Sequence, residues 1–265
     1  MISPRILVKG AGEMASAVAH RLFMANMKRI CVIDLENPLA VRRTVSFCPA
    51  LESGLAMVEG VTARPCANLA GLEAVWAQGH IGIVLADRWQ QAPFFFPDVL
   101  IDAILAKRNL GTRMDQASQV IALGPGFSAG QDAHLVIETN RGHDLGRIIE
   151  NGAAAPNTGI PGSIAGFAAE RVLRASADGV FTAAKEIGDA VGKGEIVGWI
   201  GGVEVPAPLD GVVRGLIRTN TIVTAGLKIG DIDPRGDAAY CHTISDKARA
   251  IAGAVLEAVL RHANH

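Results

Sequence analysis

The stretch ILVKGAGEMASAVAHRLFMANMKRICVID, residues 6–34, decides the fold. Ile6-Leu7-Val8 is a short apolar run that predicts a strand. Beyond Gly10-Ala11-Gly12, the residues Ala15, Val18, Ala19, Leu22 and Phe23 recur at the spacing of one helix face. Ile30-Cys31-Val32-Ile33 predicts a second strand, which ends at Asp34. The result is a βαβ unit with a G-x-G-x-x-A turn. Gly10 permits the tight turn, Gly12 lets a phosphate approach the backbone, and Ala15 lets the helix pack closely on the strand. The helix start adds free N–H groups and the positive end of a dipole. Asp34 lies 22 positions beyond Gly12, the spacing of an acid that accepts from a ribose hydroxyl. Glu13, in the first helical turn, suits the dipole but repels a pyrophosphate placed nearby. A Rossmann-like unit that binds no dinucleotide would read the same way.

Working outward, Leu69 to Gln78 predicts a helix capped by Asn68. Ile81 to Leu85 predicts a strand ending near Asp87, Val99 to Lys107 a helix, and Gln119 to Leu123 a further strand. The expected class is α/β, a Rossmann-like parallel sheet with helices. Ligands of open α/β sheets bind beyond the carboxyl ends of the strands. Gly10, Gly12, Asp34, Asp87, Gly124 and Gly126 all follow expected strands and can share one sheet edge. In the crossover after Asp34, Arg42 and Arg43 can hold a phosphate or carboxylate, or form a solvated charge pair.

Residues 124–162 hold eight glycines in 39 positions, interleaved with Arg141, His143, Asp144, Arg147, Asn157 and Thr158. Glycine lets a backbone approach a ligand closely, although a run of tight turns has a similar composition. His143, Arg141 and Asp87 are the candidate catalytic residues. Gly10, Gly12, Ala15, Asp34, Arg43, Gly124, Gly126, Asn157 and Thr158 are the candidate cofactor-binding residues. Alternation on a strand can place His134 and Glu138 on one face with His143 near, but water-facing polar positions account for these residues, and no metal site is assigned.

From residue 178 the pattern changes to short apolar runs separated by glycine turns, with almost no helical period. Gly188-Asp189-x-Val191-x-Lys193-Gly194-Glu195 is echoed by the run Thr221 to Leu227. Ser163 to Arg174 predicts a helix leading into this module. Ser245 predicts the cap of a final helix through about His262, which is expected to return to the α/β core. His242, just before that helix, reads as a surface histidine. Three segments are expected: residues 1–175, 176–236 and 237–265.

The chain is 49% hydrophobic with a net charge of −1, enough for a sizeable core and without a field that attracts nucleic acid or anionic membrane. An aromatic content of 5% also argues against base-stacking platforms. No apolar run reaches the roughly 20 residues of a membrane span, and the first residues do not form a secretory signal. Cys31, Cys48, Cys66 and Cys241 are far apart, which fits neither zinc nor a redox pair. A cytoplasmic setting is expected.

Two resemblances extend this reading. Residues 178–233 resemble the barrel-sandwich hybrid of the biotinyl/lipoyl family. Carriers of that family hold their prosthetic group on a hairpin lysine. Here the corresponding turn, Gly201-Gly202-Val203-Glu204, has none, which implies a docking or scaffolding module. The chain as a whole resembles the YqeB-type accessory proteins of selenium-dependent molybdenum hydroxylase systems. The motifs are ILVKGAGEMASAVAHRL, RRTVSF at 42–47, LAKRNLGT at 105–112, GPGFSAG at 124–130, ETNRGHDLGRII at 138–149, PNTGIPG at 156–162 and GLKIGDIDPRG at 226–236. The resemblance implies a maturation factor for xanthine dehydrogenase-like enzymes. No cysteine stands in a motif that would carry selenium chemistry.

Three functions compete. A maturation protein would cradle a nucleotide or pterin-dinucleotide-like ligand on Gly10, Gly12 and Gly124–Gly126, with Arg43, Arg141 and Arg147 neutralising charge. It would hand that ligand to a molybdenum hydroxylase client docked on the β module. An NAD(P)-dependent oxidoreductase would place Asp34 on the ribose and use His143 or His134 as acid/base. A structural partner would keep the turn as a relic. Homo-oligomerisation is compatible with all three.

Overall fold

The computed structural model describes residues 4–91 and 93–264. Two compact units divide the chain, one of residues 1–38, 46–157 and 244–265, the other of residues 39–45 and 158–243.

The first unit follows the expected βαβ opening: β1 (Ile6–Lys9), α1 (Glu13–Met24) and β2 (Ile30–Asp34). It continues through α2 (Ala50–Ser53), β3 (Ala56–Val58), β4 (Val61–Pro65), α3 (Leu69–Ala77) and β5 (Ile81–Leu85). Asn68 caps α3 by accepting from the Gly71 N–H at 2.8 Å, as its residue type predicts. Then come α4 (Ala86–Gln91), β6 (Val99–Asp102) and β7 (Gln119–Leu123). Four short strands follow: β8 (Ser128–Ala129), β9 (Leu135–Ile137), β10 (Ile148–Ile149) and β11 (Gly152–Ala153).

Nine of these strands form one mixed sheet in the order β10-β9-β7-β6-β1-β2-β5-β4-β3. Its interior is parallel; the β3–β4 and β9–β10 pairs at the edges are antiparallel. The helix expected over 99–107 is instead the interior strand β6 over its first four residues, hydrogen-bonded between β1 and β7. Its four residues are all buried. A strand buried on both faces loses the alternation that marks strands in sequence, and a short apolar run is then ambiguous.

The last helix, α5 (Asp246–Ala263), starts at Ser245, whose side chain accepts from the Ala248 N–H. Ile251, Val255, Ala258 and Val259 form its buried face, and it packs against α1 in the same unit. Gln119 ties it to β7 by donating to the Ala258 carbonyl at 3.1 Å. Among the described residues no helix is long and apolar enough to cross a membrane.

The second unit contains β12 (Val172–Arg174), β13 (Gly179–Ala183), β14 (Ala190–Val191), β15 (Ile196–Ile200), β16 (Val203–Pro206), β17 (Gly211–Leu216), β18 (Thr221–Val223) and β19 (Lys228–Asp233). They make two antiparallel four-stranded sheets, β12-β19-β17-β14 and β16-β15-β13-β18. The described ladders close no barrel. Phe181, Val197 and Ile200 of one sheet and Val213, Leu216 and Ile232 of the other share one core. The β15–β16 turn is Gly201-Gly202, both at positive φ, the conformation a two-residue hairpin demands.

The helix expected over 163–174 is absent. Residues 163–171 form turns, and only Val172–Arg174 are regular, as β12. Ala165 and Gly166 both sit at positive φ, which a right-handed helix cannot accommodate. This unit also takes in residues 158–175 and 237–243, placed elsewhere by the sequence reading, and the segment 39–45. That segment is pinned by the Leu216 N–H to the Val41 carbonyl at 2.8 Å and by Arg43 Nε to the Leu216 carbonyl at 2.8 Å.

The GLKIGDIDPRG motif builds a buried ionic network. Asp231 is paired with Arg171, with Arg214 Nη1 at 3.7 Å and with Lys228 at 3.6 Å. Asp233, fully buried, receives Arg235 Nη2 at 2.6 Å and lies 3.5 Å from Arg214 Nε. Burial pushes the Asp233 carboxyl up. The hydrogen bonds from the Arg235 side chain and backbone, with the charges of Arg235 and Arg214, outweigh it and hold the group below the usual aspartate range. Because the folded value is depressed, the stability it contributes is present above the unfolded value, near 3.9, and is lost as pH falls towards the folded value. Asp233→Asn is expected to lower stability at neutral pH and to flatten the fall of this unit's melting temperature between about pH 5 and pH 3. An unchanged pH profile in the variant would contradict this.

Candidate ligand site at the carboxyl ends of the parallel strands

Sheet order reverses direction at β1: the chain proceeds to β2 on one side and later to β6 on the other. A crevice opens at such a switch point beyond the strand ends. Here it is a cavity of about 590 Å³, within the usual range for small-molecule sites. Trp89, Phe95, Leu100 and Ile104 are among its apolar walls, and Lys9, Asp34, Asp102, Thr112 and Gln116 supply its polar groups. Trp89 and Phe95 meet edge-to-face with centroids 5.0 Å apart. Phe96 and Leu110 line the cavity while remaining more than half exposed.

Lys9 and Asp102 end adjacent strands and are register partners. Lys9 Nζ donates to Thr112 Oγ1 at 2.7 Å and to Gln116 Oε1 at 3.0 Å. Thr112 Oγ1 donates in turn to Asp102 Oδ2 at 2.6 Å. Burial lowers the Lys9 pKa from its ordinary value against the pull of Asp102, and Arg113 adds to the lowering. Asn109 holds the loop bearing Thr112: its Oδ1 accepts from the N–H groups of Gly111 and Thr112 at 2.9 and 2.7 Å. In the same loop Leu105 and Lys107 sit at positive φ, a strained conformation for side-chain-bearing residues and one that clusters at functional sites.

The expected turn residues meet this cavity in part. Gly10 and Asp34 line it. Gly10 has φ +92°, and a Cβ there would lie 3.1 Å from the Ala103 carbonyl oxygen. Gly12 caps α1 at an ordinary φ of −73°, and a Cβ there would meet nothing within 4 Å. Ala15 is fully buried in α1. Asp34 turns back on the turn: Oδ2 accepts from the Ala11 N–H at 2.6 Å and Oδ1 from the Leu35 N–H at 2.8 Å. Burial raises its pKa, and those two bonds draw it back only partly.

The other candidates do not line the cavity. Asp87 is exposed in the first turn of α4. Arg43 belongs to the second unit, where it holds the Leu216 carbonyl. A Cβ at Gly124 would strike the Thr139 hydroxyl, and one at Gly126 would lie 2.5 Å from the Arg108 nitrogen. Both glycines are thus accounted for by the chain's own packing. Asn157 and Thr158 are exposed where one unit gives way to the other. Arg141 is paired with Asp246 through two bonds of 2.8 and 3.0 Å, and Arg147 lies 3.5 Å from Asp144.

His143 is exposed on the intervening turn. His134 Nδ1 accepts from the Val120 N–H at 2.9 Å, and burial lowers its pKa. Glu138 accepts from the N–H groups of Asn140 and Ala155 at 2.6 and 2.7 Å. Among the described residues no three His, Cys, Asp or Glu side chains are grouped to hold a metal ion. His242 is exposed in the second unit. Burial raises the Cys66 thiol to about 11 and Cys31 well above its ordinary value, which disfavours thiolate chemistry at both.

Lys9, Asp102, Thr112 and Gln116 carry the polar chemistry of the cavity and escaped the sequence reading. One signal was available. VLID at 99–102 ends on an acid just as ICVID at 30–34 does, which marks both as buried strands reaching a site.

The class so defined is a mixed α/β protein with a cavity at the switch point of its sheet. No family model matches the chain. It is 47% identical over 255 residues to YqeB of Escherichia coli (strain K12), a match covering 96% of this chain and 47% of YqeB. The chain therefore spans about half the length of that curated, uncharacterized relative. This similarity supports the likeness to YqeB drawn from the motifs and says nothing of a molybdenum hydroxylase system. Among solved structures, an aspartoacylase family protein from Mesorhizobium loti aligns over 87% of this chain and 85% of its own at 12% identity and a TM-score of 0.27. A succinylglutamate desuccinylase/aspartoacylase from Rhodobacter sphaeroides aligns over the same shares at 15% identity and a TM-score of 0.28. Likeness this low identifies no common fold.

Proposed function

We propose that the cavity binds a nucleotide or pterin-dinucleotide-like ligand, and that the protein is an accessory, maturation protein for molybdenum hydroxylases of the xanthine dehydrogenase-like type. The observation that carries the ligand reading is the cavity itself: it lies at the switch point, its walls are apolar and aromatic, and few polar groups enter it. A flat heterocycle suits such walls. Gly12 leaves open space at the helix start, as approach of a phosphate requires. The molybdenum and selenium connection rests on the motif resemblance. The second unit, read as a barrel-sandwich hybrid without its carrier lysine, serves as the docking module. Val180 and Ile222, register partners on β13 and β18, leave apolar surface exposed for that purpose.

The second reading, an NAD(P)-dependent oxidoreductase, is favoured by Asp34, which lines the same cavity at the position of a ribose-binding acid. Mass spectrometry of the small molecule released from protein purified anaerobically, from cells fed molybdate and selenium, separates the two. A pterin or pterin dinucleotide is expected. NAD(P) would put the oxidoreductase first, and recovery of neither would sink the ligand reading. Gly12→Val is expected to fold, at a cost of about 1 kcal/mol or less for the altered cap, and to lose the ligand. Gly10→Ala should instead lose stability, because its φ and the nearby Ala103 carbonyl both oppose a side chain.

A further inference from the structure

Lys9 is the amine of the cavity. Its direct partners are the neutral oxygens of Thr112 and Gln116, and it reaches the buried Asp102 carboxylate through Thr112. The surrounding walls are predominantly apolar. A primary amine in such a place has a chemistry closed to a fully solvated ammonium, namely addition to a carbonyl carbon. We propose that Lys9 is a nucleophile that condenses with the carbonyl group of a planar, apolar-bodied aldehyde or ketone held in this cavity. The inference rests on the cavity being a ligand site, as above, and not on the identity of the resident ligand.

The step balances without an oxidant or reductant. The lone pair of neutral Lys9 Nζ forms a bond to the carbonyl carbon, and the carbonyl π pair moves to oxygen, which takes up a proton. The nitrogen sheds a proton, for which Thr112 and Asp102 form the adjoining relay. The hydroxyl then takes the second nitrogen proton and leaves as water, and the nitrogen pair closes the C=N bond. One amine and one carbonyl give one imine and one water.

The charged groups facing Lys9 are Asp102 and Arg113, with Asp34 lining the same cavity. Lys247 provides an internal control. Burial lowers its pKa also, among Arg141, Glu13, Glu138 and Asp246. It is not among the residues lining the cavity. A probe that responded to amine basicity alone would therefore label both.

The experiment treats the intact protein with benzaldehyde and cyanoborohydride at pH 7.5 and maps the benzylated lysines by peptide mass spectrometry. Lys9 is expected to be labelled about tenfold faster than Lys247 or the exposed lysines, because the cavity holds the aldehyde beside its amine. Labelling spread by exposure, or Lys247 labelled as fast as Lys9, would overturn the proposal. Lys9→Arg, which keeps a donor but cannot become neutral, should fold and lose only the Lys9 adduct. Thr112→Val should slow Lys9 labelling and leave Lys247 unchanged; an unchanged Lys9 rate would remove the relay. Recovery of no pterin or nucleotide would sink the earlier reading while leaving this result interpretable.

Discussion

Asp231→Ala is expected to destabilise the second unit by about 3–5 kcal/mol, the usual cost of leaving a buried charge without its partner. Asp231 faces Arg171, Arg214 and Lys228, and the side chains of Arg171 and Arg214 are only 8% and 10% exposed. The guanidinium groups remain in place when the carboxylate is removed. Arg171 keeps its bond to the Gly162 carbonyl at 2.9 Å, and Arg214 keeps Asp233 at 3.5 Å. Equilibrium denaturation followed by Trp199 fluorescence, on β15 of this unit, would measure the loss. The double substitution Arg171→Met with Asp231→Leu should cost less than Asp231→Ala alone, because an apolar pair needs no compensation. Additive losses would show that the network is not coupled as its geometry implies.

Gly126→Ala is the second large effect, about 3 kcal/mol or more. Gly126 has φ +103°, where a non-glycine residue costs roughly 1–2 kcal/mol. The added Cβ would also lie 2.5 Å from the Arg108 nitrogen and 2.6 Å from its Cα. That backbone cannot swing aside as a flexible side chain would. It belongs to the loop that carries Asn109 and Thr112, so relief of the clash should displace the relay on the cavity floor as well. Gly130→Ala separates the two contributions, since Gly130 has φ +85° but nothing within 4 Å of a Cβ. It should show the conformational cost alone, with ligand recovery intact. Equal losses at the two positions would refute the close-approach argument.

Much of the first unit was legible because its signals are local. The glycine turn, the apolar face of α1, Asn68 before α3 and Ser245 before α5 each state an element within a few residues. β6 was not, because burial on both faces erases the two-residue alternation, leaving VLID indistinguishable from helix. The run 163–171 carries helix-like apolar spacing, but the left-handed positions Ala165 and Gly166 break it.

The site divides in the same way. Gly10 and Asp34 belong to one contiguous motif and could be read from it. Lys9 and Asp102 become neighbours only through sheet order, which no local pattern encodes. The glycines of 124–126 carry a true signal of close approach, but what approaches is Thr139 and the Lys107–Arg108 backbone, not something visible from the glycines themselves.

The interrupted first unit also has a consequence for biogenesis. During translation every strand of the nine-stranded sheet leaves the ribosome before the residues of α5, and the whole of residues 158–243 is made in between. Throughout that interval α1 lacks the helix that later packs against it. Nascent chains arrested in the second unit therefore present a first unit still without its last helix, an exception to the completion of each unit in chain order. Holdase chaperones would find their substrate at that stage.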